Sequence, residues 1–199
     1  MGEQYFQAEP HSAHHPRIVQ LEFKGERFTF ETDAGVFSKG ALDEGTQLLL
    51  DTVRPHLSGK VLDLGCGWGA VGVILSRLCP DCGITMLDIN QRACVLAEKN
   101  ARRNGVSPLV LCGDGLEMTE GFFDWILLNP PIRAGKETVY GLFRRSAASL
   151  NPSGRLAVVI RRQQGALSAK SFLETLFHSV SLEQRKKGYY IFICKEVCV

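Results

Sequence analysis

Apolar and polar residues follow two rhythms along this chain. Between residues 19 and 32 they alternate on either side of Lys24-Gly25-Glu26, a pattern that predicts a small β-hairpin. A loop through Asp33-Ala34-Gly35-Val36-Phe37-Ser38-Lys39-Gly40 follows, and the spacing then lengthens. Leu42, Leu49, Leu50 and Val53 fall on one helical face, and Pro55 marks the approach to the helix end. From Lys60 onward short apolar runs alternate with helical stretches. Strands are predicted at 61–64, 84–87, 109–112, 125–128 and 156–160, with helices at 70–78, 91–104, 142–150 and 168–177. Such alternation predicts an α/β fold with a mostly parallel sheet covered by helices. The ending differs, because 181–183 and 189–194 are joined by a charged turn with no helix between them. An antiparallel pair at the sheet edge is expected there. The division that results is an N-terminal segment, 1–58, carrying the hairpin and a loop and helix, and an α/β core, 59–199, in one compact domain.

Composition narrows the setting. The chain has 199 residues, 45% of them apolar and 22% charged, which is ordinary for a soluble globule with one good core. No run reaches the roughly 18 apolar residues that span a bilayer. The N-terminal stretch to His15 is polar, without an apolar signal core. Its His11, His14 and His15 read as a surface segment, and no metal site is expected. Seven cysteines, an odd number partly inside apolar runs, form no disulfide framework and point to a reduced, cytoplasmic protein. Cys79-Pro80-Asp81-Cys82 has CxxC spacing but no second pair at zinc-finger distance.

Charge is uneven although the net value is only +2. Residues 1–128 hold 11 Lys/Arg against 17 Asp/Glu, whereas residues 129–199 hold 12 against 4. If the fold gathers Arg133, Lys136, Arg144, Arg145, Arg161, Arg162, Arg185, Lys186 and Lys187 on one side, that side attracts phosphate backbones.

Two stretches carry chemistry. In Asp63-Leu64-Gly65-Cys66-Gly67-Trp68-Gly69, the glycines Gly65, Gly67 and Gly69 follow a strand and open a helix, a context that lets backbone approach a ligand. The acid at Asp63 suits a cationic amino-acid tail and is badly placed beside a pyrophosphate, which favours S-adenosylmethionine over NAD. Asp88, 19 residues after Gly69, ends the next strand with two oxygens for the hydroxyls of a ribose. Ile89 can lie against the adenine, Asn90 is an N-cap candidate, and Asp114 is placed to meet the adenine amino group. The second stretch, Asn129-Pro130-Pro131-Ile132, stands directly behind the apolar run 125–128. It presents an amide and two rigid prolines at the mouth of a strand, an arrangement suited to a flat, nitrogen-bearing acceptor.

Together these segments resemble the class I methyltransferases, and more narrowly the small-domain group that contains ribosomal RNA small-subunit guanine-N2 methyltransferases. The resemblance covers nearly the whole chain, since Thr32-Asp33-Ala34-Gly35-Val36-Phe37-Ser38, Leu42-Asp43-x-Gly45-Thr46 and Lys187-Gly188-Tyr189-Tyr190 also look like that group. Gln4 departs from it, standing where a histidine often occurs. The resemblance implies a Rossmann-like, seven-stranded sheet with a reversed final strand. It implies that Phe37, Gly45 and Thr46 line the methionine side of the cofactor, and that Asn129 also borders it. Asn129 Oδ1 and the Pro130 carbonyl are expected to hold the acceptor amine, Pro131 to fix the loop, and Ile132 to supply an apolar face. An aliphatic residue at 132 favours guanine over adenine or glutamine, for which an aromatic residue is expected. Arg133, Lys136, Arg144 and Arg145 are candidates for RNA phosphate contact. The leading expectation is methylation of guanine N2 in ribosomal RNA. Another nucleic-acid base, a protein glutamine, a small amine, or a cofactor-binding module without turnover stay open as alternatives.

Overall fold

A computed structural model describes residues 15–33, 42–114 and 122–198, so Phe37 and the residues through His14 lie outside the described part. β1 (Arg17–Phe23) and β2 (Glu26–Thr32) pair antiparallel across Lys24 and Gly25. Both turn residues have positive φ, 53° and 82°, the twist that a two-residue hairpin turn requires. α1 (Glu44–Val53) starts where the Asp43 side chain accepts from the Gly45 and Thr46 amides, satisfying donors that the helix leaves open.

The remaining elements are β3 (Lys60–Leu64), α2 (Ala70–Leu78), β4 (Gly83–Asp88), α3 (Gln91–Arg103), β5 (Leu109–Cys112), β6 (Phe123–Leu128), α4 (Lys136–Ala148), β7 (Leu150–Arg161), α5 (Ala166–Leu173), β8 (Phe177–Lys186) and β9 (Tyr189–Val197). Seven of the strands form one sheet in the order β5-β4-β3-β6-β7-β9-β8. Neighbours from β5 to β7 are parallel, and β9 runs antiparallel to both β7 and β8. The crossover through α5 sets β8 one strand away from β7, and a two-residue turn sends β9 back into the gap. The reversed final strand is as expected, one place in from the edge.

Strand periodicity sorts the core onto two faces. Val61, Met86, Trp125, Leu127, Val159 and Ile191 pack with α1, α2, α3 and the hairpin phenylalanines Phe28 and Phe30. Leu62, Leu87, Ile126, Leu128, Val158 and Phe192 pack with α4 and α5 on the other face. The hairpin is held to α3 by two buried asparagines. Asn104 accepts the Thr29 amide and donates to the Thr29 carbonyl, and Asn100 does the same for Glu31 at 2.7 and 2.8 Å. Asn100 Nδ2 also donates to the Trp68 carbonyl at 2.8 Å, and Phe30 meets the Trp68 ring edge-on at 4.8 Å. One side chain thereby ties the hairpin to the glycine-rich loop.

Some boundaries differ from the sequence reading. α4 begins six residues before Leu142: Lys136, Glu137 and Thr138 face solvent and carry no apolar signal, although Val139 and Tyr140 after them are buried against α5. Phe177 belongs to β8 and not to the preceding helix, since its ring is fully buried in the α4–α5 core. β7 starts at Leu150, where exposed polar residues still keep strand geometry. Among the described residues no helix is long and apolar enough to cross a membrane.

Candidate active site

Strand order reverses between β3 and β6, so crossovers leave in opposite directions and open a crevice at the carboxyl ends of the strands. A cavity of about 720 Å³ occupies it, lined among others by Asp43, Thr46, Asp63, Gly65, Gly67, Asp88, Ile89, Asp114, Asn129, Pro130, Pro131 and Ile132. Residues far apart in the chain therefore share one wall.

One half is acidic. The Gly65 and Cys66 amides both donate to the Leu87 carbonyl, folding the glycine-rich loop over the end of β4. Asp88 then accepts the Gly67 amide on Oδ2 at 2.8 Å and the Asn90 amide on Oδ1 at 2.9 Å. Each carboxylate oxygen keeps acceptor capacity beyond the amide that fixes it, which fits a pair of ribose hydroxyls. Burial pushes the Asp88 carboxyl above the usual carboxylate range, against the opposing pull of the Asn90, Gly67 and Ile89 amides. Asp63 is buried deeper and accepts the Gly72 amide at 3.0 Å. Burial raises its pKa to about 7, the Gly72 amide lowers it, and the Asp88 charge adds to the rise. An unneutralised carboxyl in such a place favours a cationic neighbour. Asn90 caps α3 through the Arg92 and Ala93 amides, as its position suggested. Asp114 is exposed at the cavity edge and pairs with Arg145, whose Nη1 reaches its side chain at 3.3 Å and its carbonyl at 2.7 Å.

The other half surrounds Asn129. Its Nδ2 donates to Thr46 Oγ1 at 3.0 Å and lies 3.5 Å from Asp43 Oδ2. Pro130 lends its carbonyl to the Ile132 amide at 2.9 Å, and the Pro131 carbonyl takes the Ala134 amide at 2.8 Å. Those bonds hold the turn while leaving the Pro130 oxygen a second lone pair. Arg161, also on the cavity wall, lies over the Tyr189 ring, 4.6 Å from its centre, and Gln164 lines the same cavity.

The geometry divides the expected residues. Arg133 and Arg145 line the cavity, but Lys136 and Arg144 do not. Lys136 sits over the Tyr140 ring and Arg144 over the Phe172 ring, because that side of α4 packs toward α5. Gly45 and Gly69 are likewise absent from the lining. A Cβ at Gly45 would stand 2.5 Å from Tyr189 Cε1, so the missing side chain seats that ring against α1. At Gly69, with φ +86°, a Cβ would stand 2.9 Å from the Ala97 Cα, so the need there is close packing of α2 on α3. Asp43, Gln164 and the Arg161–Tyr189 stack border the site without having been singled out for it. Asp43 carries a local signal, an acid three residues before a threonine, but that signal reads as a helix cap.

Part of the basic set does converge. Arg161 pairs with Tyr189 in the sheet register, Lys186 pairs with Tyr189 from the other side, and the Arg162 amide donates to the Gly188 carbonyl. Because β9 is reversed, the β8–β9 turn returns to the rim that carries Asn129. Lys187 reaches Glu44 at 2.5 Å and holds that turn against α1.

A doubly wound sheet with one reversed strand next to its edge, and an acidic cavity at the carboxyl ends of its strands, is the architecture of class I S-adenosylmethionine-dependent methyltransferases. The profile of the family described as Methyltransferase small domain matches residues 27–193. The chain belongs to that family and is an S-adenosylmethionine-dependent enzyme. It is 41% identical to the uncharacterized protein YbxB of Bacillus subtilis (strain 168), over 99% of this chain and 100% of that protein. It is 31% identical to ribosomal RNA small subunit methyltransferase C of Pseudomonas entomophila (strain L48), over 90% of this chain and 57% of that enzyme. For the same enzyme of Mannheimia succiniciproducens the identity is 42%, over 63% of this chain and 39% of the enzyme. The chain thus spans about half the length of these ribosomal RNA methyltransferases. Among solved structures, the T. thermophilus 16S rRNA N2 G1207 methyltransferase (RsmC) in complex with AdoMet and guanosine aligns with a TM-score of 0.82 at 25% identity, covering 91% of this chain and 50% of that one.

Proposed function

We propose that this methyltransferase acts on an exocyclic base amine in RNA, specifically guanine N2 of ribosomal RNA. The observation that carries the reading is Asn129 at the cavity wall with its Nδ2 committed to Thr46, which leaves Oδ1 as the atom for an acceptor amine. The similarity to ribosomal RNA methyltransferases over most of this chain, and to a structure holding AdoMet and guanosine, supports the same acceptor.

When bound, S-adenosylmethionine supplies a methyl group made electrophilic by sulfonium. Asp88 and the Gly65–Gly67 backbone would hold the nucleoside end, and Asp63 the cationic tail. The chain's main task is then alignment, which converts an encounter into an in-line approach. An exocyclic amine is a weak nucleophile because its lone pair is delocalised into the ring. Hydrogen bonds from its N–H groups to Asn129 Oδ1 and the Pro130 carbonyl direct the lone pair and favour the positive charge that grows on nitrogen. The proton leaves to water through the open side of the cavity. Ile132 offers the base an apolar face. Arg133, Arg161, Arg162, Arg185 and Lys186 on the rim suit phosphates on either side of a base that has left its stack.

The test is transfer of labelled methyl from S-adenosylmethionine to total RNA and to ribosomal particles, followed by nucleoside analysis. N2-methylguanosine is the expected product. Label confined to N6-methyladenosine or to protein would overturn the acceptor assignment.

A further inference from the structure

We propose that Asp43, acting through Thr46, sets which way the Asn129 amide points and is therefore a positioning residue for methyl transfer. An asparagine side chain has nearly the same shape in two orientations related by a half-turn, and only one of them offers oxygen to an acceptor amine. The structure contains a device that chooses. The Thr46 hydroxyl has a single proton, and it donates that proton to Asp43 Oδ2. Toward Asn129 the hydroxyl can then only accept, so the group facing it at 3.0 Å is Nδ2. The same Nδ2 lies 3.5 Å from Asp43 Oδ2, a place where an amide oxygen would be repelled by the carboxylate.

Asp43 is itself fixed. Its Oδ1 accepts the Gly45 amide at 3.0 Å and the Thr46 amide at 3.1 Å, which leaves Oδ2 for the hydroxyl. The polarity of the chain Asn129 Nδ2 to Thr46 Oγ1 to Asp43 Oδ2 thus originates in a group that accepts and does not donate. It ends in an amide whose oxygen is turned toward the cavity.

Asp43→Asn is the discriminating variant. Asparagine keeps an oxygen for the α1 cap, so the helix retains its start. Its Nδ2 replaces the accepting oxygen and donates to Thr46, whose proton turns to Asn129 and draws Oδ1 toward itself. The expected result is a kcat lowered about 10- to 100-fold, the size of one oriented bond to a charged centre, with S-adenosylhomocysteine affinity and Tm little changed. Thr46→Val should lower kcat similarly, and Thr46→Ser should recover much of that loss. The double variant Asp43→Asn with Thr46→Val should lose no more than the larger single, because both act through the same amide.

The inference rests on the acceptor role proposed for Asn129, and one readout separates the two. The side-chain ¹⁵NH₂ signals of Asn129, assigned by their loss in Asn129→Ala, report the amide's bond to Thr46 without any RNA present. Asp43→Asn should move them strongly. Unmoved signals would overturn the positioning role, as would a kcat loss matched by an equal loss of Tm or cofactor affinity. Moved signals in a protein that methylates no RNA would uphold the device and overturn the acceptor.

Discussion

Asp63 Oδ2 accepts the Gly72 amide at 3.0 Å, joining the end of β3 to the first turn of α2 at the wall of the cavity. With its pKa raised by burial from 3.8 to about 7, the native carboxyl holds a proton that the unfolded chain has already released over that interval. Stability from this group is therefore greatest in acid and is lost as pH rises toward 7. Asp63→Asn should remove that slope, which thermal unfolding between pH 5 and 8 can measure. Binding of S-adenosylhomocysteine, whose amino group favours the charged carboxylate, should tighten as pH rises toward about 7 and level off above it in the wild type, and lose that dependence in the variant. Parallel curves for the two proteins would count against a titrating Asp63.

Asp88 accepts the Gly67 and Asn90 amides, one on each oxygen, and faces the cavity with its remaining acceptor capacity. Asp88→Ala should weaken cofactor binding about 10- to 100-fold, as expected for hydrogen bonds to a charged group. Calorimetric titration with S-adenosylhomocysteine measures this, and an unchanged affinity would remove the ribose contact.

Gly69 and Gly65 should respond differently to alanine. Gly69→Ala places a Cβ against the Ala97 backbone in a left-handed conformation, and should cost about 1–3 kcal/mol in urea unfolding. Gly65 is also left-handed, at φ +72°, so alanine is strained there too, but its Cβ meets nothing within 4 Å and the residue lines the cavity. Gly65→Ala should therefore harm cofactor affinity more than packing, and the reverse ranking would misplace the loop.

Asn100→Ala removes three hydrogen bonds that tie β2 to α3 and to the Trp68 carbonyl. A loss of about 2–4 kcal/mol is expected from the bonds and the orphaned partners. Cofactor affinity should fall with it, since the glycine-rich loop loses its brace. Urea unfolding and titration on the same sample test both, and wild-type values would show the hairpin to be independent.

Arg161 and Arg144 should separate cavity from flank. Arg161→Gln should raise KM for RNA and reduce the salt slope of binding by about one phosphate contact. Arg144, over the Phe172 ring, should have less effect. Equal effects would place the RNA path over α4 instead.

The strand and helix rhythm from Lys60 onward was legible because buried parallel strands read as short apolar runs. The glycine-rich turn, Asp88 and the Asn-Pro-Pro-Ile segment were legible because each stands at the end of such a run. Lys136 to Thr138 at the start of α4 and the outer ends of β7 and β8 were not, since solvent-facing positions carry no periodic signal.

By itself the sequence determined the α/β class, the strand ends that border the cavity, and the excess of basic residues after Asn129. Backbone geometry and burial act locally enough to leave such marks. Only the tertiary structure decided that the reversed β9 brings the basic turn to the same rim, that Arg144 turns away while Arg161 turns in, and that Asp43 meets Asn129 across 86 positions. These are contacts between elements, and their direction follows from how the faces of the sheet and helices pack, which no single segment encodes.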